Sequence, residues 1–145
     1  MRVSDILKVK GNTLYTVTPD TALNDAVNTM AEHDIGSLVV MEHGELKGML
    51  TFREVLAALA KGGIEGRRVA DIYERNPITA TPKLDVMELR GLMLERHQRY
   101  VPVMDGTTLL GVISFHDVAK AVYEEASFEN KMLKSYIEDS PTAAR

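Results

Sequence analysis

Two short stretches carry the side chains best suited to chemistry. Gly48 to Glu54 and Gly111 to Asp117 follow one pattern: a glycine, two apolar residues, a hydroxyl, two variable residues and an acid. The hydroxyls are Thr51 and Ser114, and the acids are Glu54 and Asp117. Each stretch lies where an apolar, strand-like run passes directly into a helical pattern. A hydroxyl and a carboxylate three residues apart at a helix start face the same way, and together they can exchange hydrogen bonds with a sugar diol. Free N–H groups in the first turn of such a helix favour an anion nearby. Arg53 and His116 precede the acids and could reach phosphate oxygens, the planar arginine fork being suited to bidentate contact. The same spacing also describes a capping box, in which hydroxyl and carboxylate only satisfy the helix end. Repetition does not separate these two readings, because both helices need caps.

Little else in the chain suggests catalysis. His33, His43, His97 and His116 lack metal-ligand spacing. There is no cysteine, which removes disulfides, thiolate nucleophiles and cysteine-ligated zinc. No Ser-x-Gly elbow suggests a nucleophile, and no paired acids suggest general acid–base work. These observations favour a binding protein over an enzyme.

The elements that must position the two motifs come from a duplication. Sliding the sequence by 63 positions aligns residues 16–58 with 79–121 without gaps, giving twelve identities in 43 positions, too many for composition alone. They include Thr16 on Thr79, Thr18 on Thr81, Pro19 on Pro82, Gly48 on Gly111 and Phe52 on Phe115. A short echo, Val3, Asp5 and Ile6 against Val69, Asp71 and Ile72, precedes each unit at a slightly different spacing. In the first unit the patterns predict a strand at Leu14–Val17 and a helix at Thr21–His33 capped by Asp20 or Thr21. A strand at Ser37–Met41, a turn at Glu42–Gly44, a strand at Leu46–Leu50 and a helix at Phe52–Lys61 follow. The second unit repeats this from Ile78 to Val122. The glycine-rich stretch from Lys61 to Gly66 reads as a linker, since no Gly-Lys-Ser/Thr follows to make it a phosphate loop.

The expected fold class is therefore α/β (α+β), with two βαββα repeats packed by pseudo-twofold symmetry. The expected divisions are 1–62 for the first repeat, 63–68 for the linker, 69–126 for the second repeat and 127–145 for a C-terminal helix and frayed tail. Val118, Val122, Phe128, Met132, Leu133, Tyr136 and Ile137 form a broken apolar stripe, so a helix is expected as far as Glu138. That stripe can dock on its own core or cover a second subunit. Asp139 to Pro141 and the small polar end read as frayed.

At 145 residues the chain can bury a real core. Its apolar share of 45% and charged share of 26% argue against disorder. A net charge of -4 disfavours non-specific binding to nucleic acid or anionic lipid. The start lacks the apolar region of a signal peptide, and no apolar run is long enough for a membrane span. The expectation is no nucleic acid, no membrane and a cytoplasmic setting.

The two motifs occur together with Thr16-x-Thr18-Pro19, Thr79-x-Thr81-Pro82 and the run Tyr100, Val101, Pro102, Val103. In this order and duplication they resemble the CBS domain family, named after cystathionine β-synthase, across most of the chain. The resemblance implies a tandem pair, or Bateman module, usually dimerised into a flat disc. It implies up to two clefts for AMP, ADP, ATP, NAD or S-adenosylmethionine. Carried over by residue, it implies a better site in which Ser114 and Asp117 hold the ribose. Thr79, Ala80 and Thr81 would line adenine and ribose, and Tyr100, Val101 and Pro102 would read the adenine edge. Arg53, Arg99 and His116 are the candidates for phosphate. A weaker second site would use Thr16, Thr18, Ser37, Leu38, Thr51 and Glu54. There the longer acid displaces the carboxylate by about 1.5 Å and favours capping. The implied function is regulatory: an adenine nucleotide acts as ligand, no cofactor is required, and the output passes to a partner in trans. The competing reading is a ligand-free dimerisation module in which both motifs are only caps.

Overall fold

The computed structural model describes residues 1–11 and 13–138. The elements are α1 (Val3–Lys10), β1 (Thr16–Val17), α2 (Leu23–Glu32), β2 (Ser37–Glu42), β3 (Glu45–Thr51) and α3 (Phe52–Ala60) in the first half. A 3-10 turn at Val69–Asp71 leads to α4 (Val86–Arg96), β4 (Tyr100–Asp105), β5 (Thr108–Ser114) and α5 (Phe115–Glu138). The fold is mixed α+β with two sheets.

The duplication survives in the hydrogen bonding. In the first sheet β1 runs parallel to β2, and β2 pairs antiparallel with β3. In the second, β4 and β5 pair antiparallel, and the counterpart of β1 shrinks to one parallel bridge between Ala80 and Val103. Ala80 donates to the Pro102 carbonyl at 3.0 Å and accepts from the Met104 N–H at 2.8 Å. Both hairpins carry a register shift at equivalent places, Val40/Met41 and Val103/Met104. One fold is therefore written twice, including its irregularity.

The repeats share their covering segments. Val3 and Ile6 of α1 are buried with Val86, Leu89, Met93, Val101, Val103 and Ile113, in the core of the second repeat. Val69 and Tyr73 are buried with Leu23, Ala26, Met30, Leu38 and Leu50, in the core of the first. Backbone bonds fix both attachments in the same way. Val3 N–H reaches the Leu84 carbonyl and Ser4 N–H that of Pro82, while Val69 N–H reaches Thr21 and Ala70 N–H reaches Pro19. The echo around Val3 and Val69 is thus a matched pair of clasps, each closing the apolar face that a βαββα unit leaves uncovered. Residues 67–73 stay with the first repeat, and the chain passes to the second repeat beyond them.

Some local expectations need correction. Neither Asp20 nor Thr21 caps α2; Ala22 stands at that position without a side-chain bond. The Thr21 hydroxyl instead accepts the Thr18 N–H at 3.2 Å, closing the turn after β1. Helix α4 is capped by Asp85, which accepts from Met87 N–H at 2.9 Å. Helix α5 does run to Glu138. Val118 and Val122 dock on the second core, whereas Phe128, Met132, Leu133, Tyr136 and Ile137 are exposed, so the later part of that stripe does not dock on its own core. The expected frayed end from Asp139 onward lies outside the described residues. Among the described residues, no helix is long and apolar enough to cross a membrane.

Candidate functional site

A cleft of about 920 Å³ opens between the repeats. The second repeat lines it with Arg99, Tyr100, Ser114, Phe115 and His116, and the first with Tyr15, Ile35, Gly36, Ser37 and Arg53. Lys10 of α1 completes one wall. The size and the mixed polar and aromatic lining suit a small organic ligand.

Ser114 and Asp117 sit at the junction of β5 and α5. Ser114 N–H donates to Asp117 Oδ2 at 2.8 Å, and Asp117 N–H donates to Ser114 Oγ at 3.0 Å. This is a reciprocal cap. It does not use up the group, because Oδ2 also accepts from Lys10 Nζ at 2.7 Å and Asp117 keeps partial exposure. Burial works against the Asp117 charge, but bonding to Lys10 and Ser114 outweighs it, and the carboxyl lies below its ordinary range. Asp117 is therefore a charged acceptor at neutral pH, next to a serine that lines the cleft.

The equivalent junction of β3 and α3 is closed. Glu54 Oε1 accepts both the Thr51 N–H at 2.8 Å and the Thr51 hydroxyl at 2.9 Å. Arg53 N–H donates to that hydroxyl at 3.3 Å. Burial pushes the Glu54 carboxyl up, and Glu74 adds to this against the opposing Thr51 bonds and Arg53. Beyond it, Met49 and Glu74 exchange two backbone hydrogen bonds, 3.0 and 2.8 Å long, along the edge of β3. Tyr73 and the Glu74 carbonyl cover Gly48 so closely that a Cβ there would overlap them. Neither Thr51 nor Glu54 lines the cleft.

The groupings expected from the sequence are not the groupings in space. The cleft joins Ser114 to Tyr15 and Ser37 of the other repeat, because the two halves face each other across the pseudo-twofold. Thr79, Ala80, Thr81, Val101, Pro102 and Asp117 do not line it, although Asp117 is bonded to Ser114 and Lys10, which do. Thr79 and Thr81 are exposed, while Ala80, Val101 and Pro102 are buried, with Ala80 and Pro102 bonded to each other. Of the residues expected in the weaker site, Ser37 belongs to this cleft, and Leu38 is fully buried in the first core. Thr16 and Thr18 are exposed away from it. The three phosphate candidates, Arg53, Arg99 and His116, do come together on the cleft wall. Arg53 also crosses the interface, donating from Nη2 to the His97 carbonyl at 2.7 Å. That carbonyl closes α4, where a cation complements the helix dipole.

Lys10, Gly36 and Gln98 escaped the motif reading. Gly36 is buried at the start of β2, and a Cβ there would overlap the Tyr100 hydroxyl and the Phe52 ring. Its lack of a side chain lets the repeats meet. A glycine just before a strand of otherwise apolar residues was the available signal. Burial holds the Tyr100 phenol above its ordinary value, so it remains a neutral donor and acceptor. Gln98 clamps the crossing chain, accepting from Ile78 N–H at 2.8 Å and donating to the Ile78 and Tyr100 carbonyls, each at 2.9 Å. Among the described residues, no cluster of His, Asp or Glu could hold a metal ion.

Two intertwined βαββα units with a ligand-sized cleft between them define a class of paired α+β modules. Within it, the model of the CBS domain matches this chain twice, at residues 3–61 and 69–124. The chain belongs to the CBS domain family. It is 34% identical to the CBS domain-containing protein CBSX3, mitochondrial, of Arabidopsis thaliana, over 94% of this chain and 71% of that one. Among solved structures, the CBS-domain containing protein ATU1752 from Agrobacterium tumefaciens is 31% identical with a TM-score of 0.80, covering 83% of this chain and 98% of that one. The CBS domain pair of protein MJ0100, in complex with 5'-methylthioadenosine and S-adenosyl-L-methionine, is 26% identical with a TM-score of 0.75. That match covers 84% of this chain and 99% of the other.

Proposed function

We propose that this protein is a regulatory sensor that binds an adenine nucleotide or a related adenosine compound in the cleft between its repeats. AMP, ADP, ATP and NAD are the first ligands to test, with S-adenosylmethionine beside them. The observation that carries the reading is a cleft lined by Ser114, Lys10, Arg53 and Arg99, with the partly exposed Asp117 bonded to both Ser114 and Lys10. The adenosine-bearing complex of the similar MJ0100 pair supports the choice of ligand class. In this reading Ser114 and Asp117 take the ribose, Tyr15, Ile35 and Tyr100 flank the base, and Arg53, Arg99 and His116 meet the phosphates. Thr51 and Glu54 serve as a cap. Ligand joining both repeats would favour one relative packing, provided its affinity differs between packings. No catalytic step is assigned, and a partner in trans reads the change. Exposed Phe52, Leu56 and Leu59 on α3, with Met87 and Leu94 on α4, offer apolar faces for a homodimer.

Titration calorimetry and thermal unfolding with these compounds test the proposal. At about 100 times Kd, binding should add roughly 2.7 kcal/mol to stability. Absence of heat and of any melting shift at millimolar concentration removes it. A second reading, a ligand-free interaction module, draws on the fact that both motifs already satisfy their helix ends as reciprocal caps. It expects Asp117→Ala to lower stability by about 0.5–2 kcal/mol with no binding to lose.

A further inference from the structure

Lys10 lies outside both motifs, at the end of α1, more than a hundred residues from the acid it meets. Its ammonium donates to Asp117 Oδ2 and to the Val112 carbonyl, each at 2.7 Å. Three N–H donors are present on a lysine, so one remains. The side chain lines the cleft and is 36% exposed. On the acid, Oδ2 already holds Ser114 N–H and Lys10. Among the described residues Oδ1 accepts no hydrogen bond, and the Asp117 side chain is 20% exposed. A spare cationic donor and a spare anionic acceptor therefore stand side by side. A vicinal diol is matched to such a pair, since one hydroxyl donates to the carboxylate while a hydroxyl oxygen accepts from the ammonium.

The first repeat has no such arrangement. Met49 occupies the position equivalent to Val112, and its carbonyl accepts the Glu74 backbone N–H instead. The cation is thus specific to one of the two junctions and is not a requirement of the fold.

We propose that Lys10 contacts the ligand directly and, with Ser114 and Asp117, makes the cleft selective for ribose over deoxyribose. This rests on the reading of the cleft as an adenine nucleotide site. The experiment is calorimetric titration of AMP and 2'-deoxy-AMP into the wild-type chain, Lys10→Met, Lys10→Arg, Asp117→Asn and the Lys10→Met/Asp117→Asn double variant. Thermal melting establishes that each variant is folded. Losing a hydrogen bond to a charged group predicts about a ten- to hundredfold weaker AMP affinity in Lys10→Met. The loss for 2'-deoxy-AMP should be smaller, so the preference for AMP collapses. Lys10→Arg keeps a cationic donor and should keep most of the preference, which holds the test open if Lys10→Met does not fold. A lysine that only positions Asp117 would add nothing in the Asp117→Asn background; a direct contact costs further affinity there. Unchanged AMP affinity or unchanged sugar preference in Lys10→Met overturns the assignment, as does the absence of any further loss in the double variant. If the wild-type chain binds neither nucleotide, the adenine reading of the cleft fails and this inference falls with it. Wild-type binding with an indifferent Lys10→Met removes only the role of Lys10.

Discussion

The junctions of β3 with α3 and of β5 with α5 descend from one pattern, yet they do different physical work. At the first, Glu54 accepts two bonds from Thr51, and the neighbouring strand edge is paired with Glu74. At the second, the shorter Asp117 accepts from Ser114, and the strand edge meets the ammonium of Lys10. Burial dominates the first carboxyl and raises it, whereas bonding to Lys10 and Ser114 overcomes burial at the second and lowers it. A duplicated motif can therefore keep its helix cap in both copies and leave a usable charge in one. What decides is the element that covers the strand edge, not the motif.

The largest expected effect tests this contrast directly. Asp117→Ala should weaken nucleotide binding about ten- to hundredfold, as expected for a hydrogen bond to a charged group. Glu54→Ala should leave affinity within about twofold, within the scatter of substitutions that do not touch the ligand. Equal losses in calorimetry would erase the distinction between the junctions.

Next comes the interface that forms the cleft. Gly36 lets Tyr100 approach, while the equivalent position in the second repeat holds the exposed Arg99. Gly36→Ala should cost about 1–3 kcal/mol by forcing Tyr100 and Phe52 apart, seen as a lower denaturant midpoint. Ligand affinity should fall as well. A variant with unaltered stability would mean that the repeats do not meet there.

A smaller effect separates capping from binding. Thr51→Ala should lower stability by about 1 kcal/mol, as cap losses do, with nucleotide affinity unchanged. Ser114→Ala should show a comparable stability loss together with weaker binding.

The pH response is the smallest and sharpest probe. Asp117 has a depressed folded value, so its contribution is complete above its unfolded value of about 3.9. That contribution is lost as pH falls through the folded value. Asp117→Asn should therefore destabilise at neutral pH, by a margin that shrinks in acid. Glu54 has a raised folded value, so its charge opposes folding at neutral pH, and protonation relieves this as pH falls through that value. Glu54→Gln should match or slightly exceed wild-type stability at neutral pH, any gain vanishing in acid. Denaturant melts across this range read both slopes; slopes of the same sign would contradict the contrast.

Much of the fold is legible along the chain. The 63-residue repeat, the two helix-starting motifs and the strand patterns rest on local spacing. The structure keeps these elements with ends moved by one or two residues, except that the first strand of the second repeat shrinks to the Ala80–Val103 bridge. The caps are similarly local: Thr51 meets Glu54 and Ser114 meets Asp117 across three residues, a distance that helix geometry sets by itself.

The composition of the cleft is another matter. Ser114 shares it with Tyr15 and Ser37, whereas Thr79 and Thr81 stay outside, because the pseudo-twofold turns each junction toward the opposite repeat. Lys10 reaches Asp117 because α1 is clasped to the second core by Val3 and Ile6, and nothing in the spacing between residues 10 and 117 announces that meeting. Sequence by itself determined the family, the repeated unit and the caps of α3 and α5. Tertiary packing alone decided which repeat faces which, and so which carboxyl burial raises and which a distant lysine lowers, since burial and distant partners set those properties.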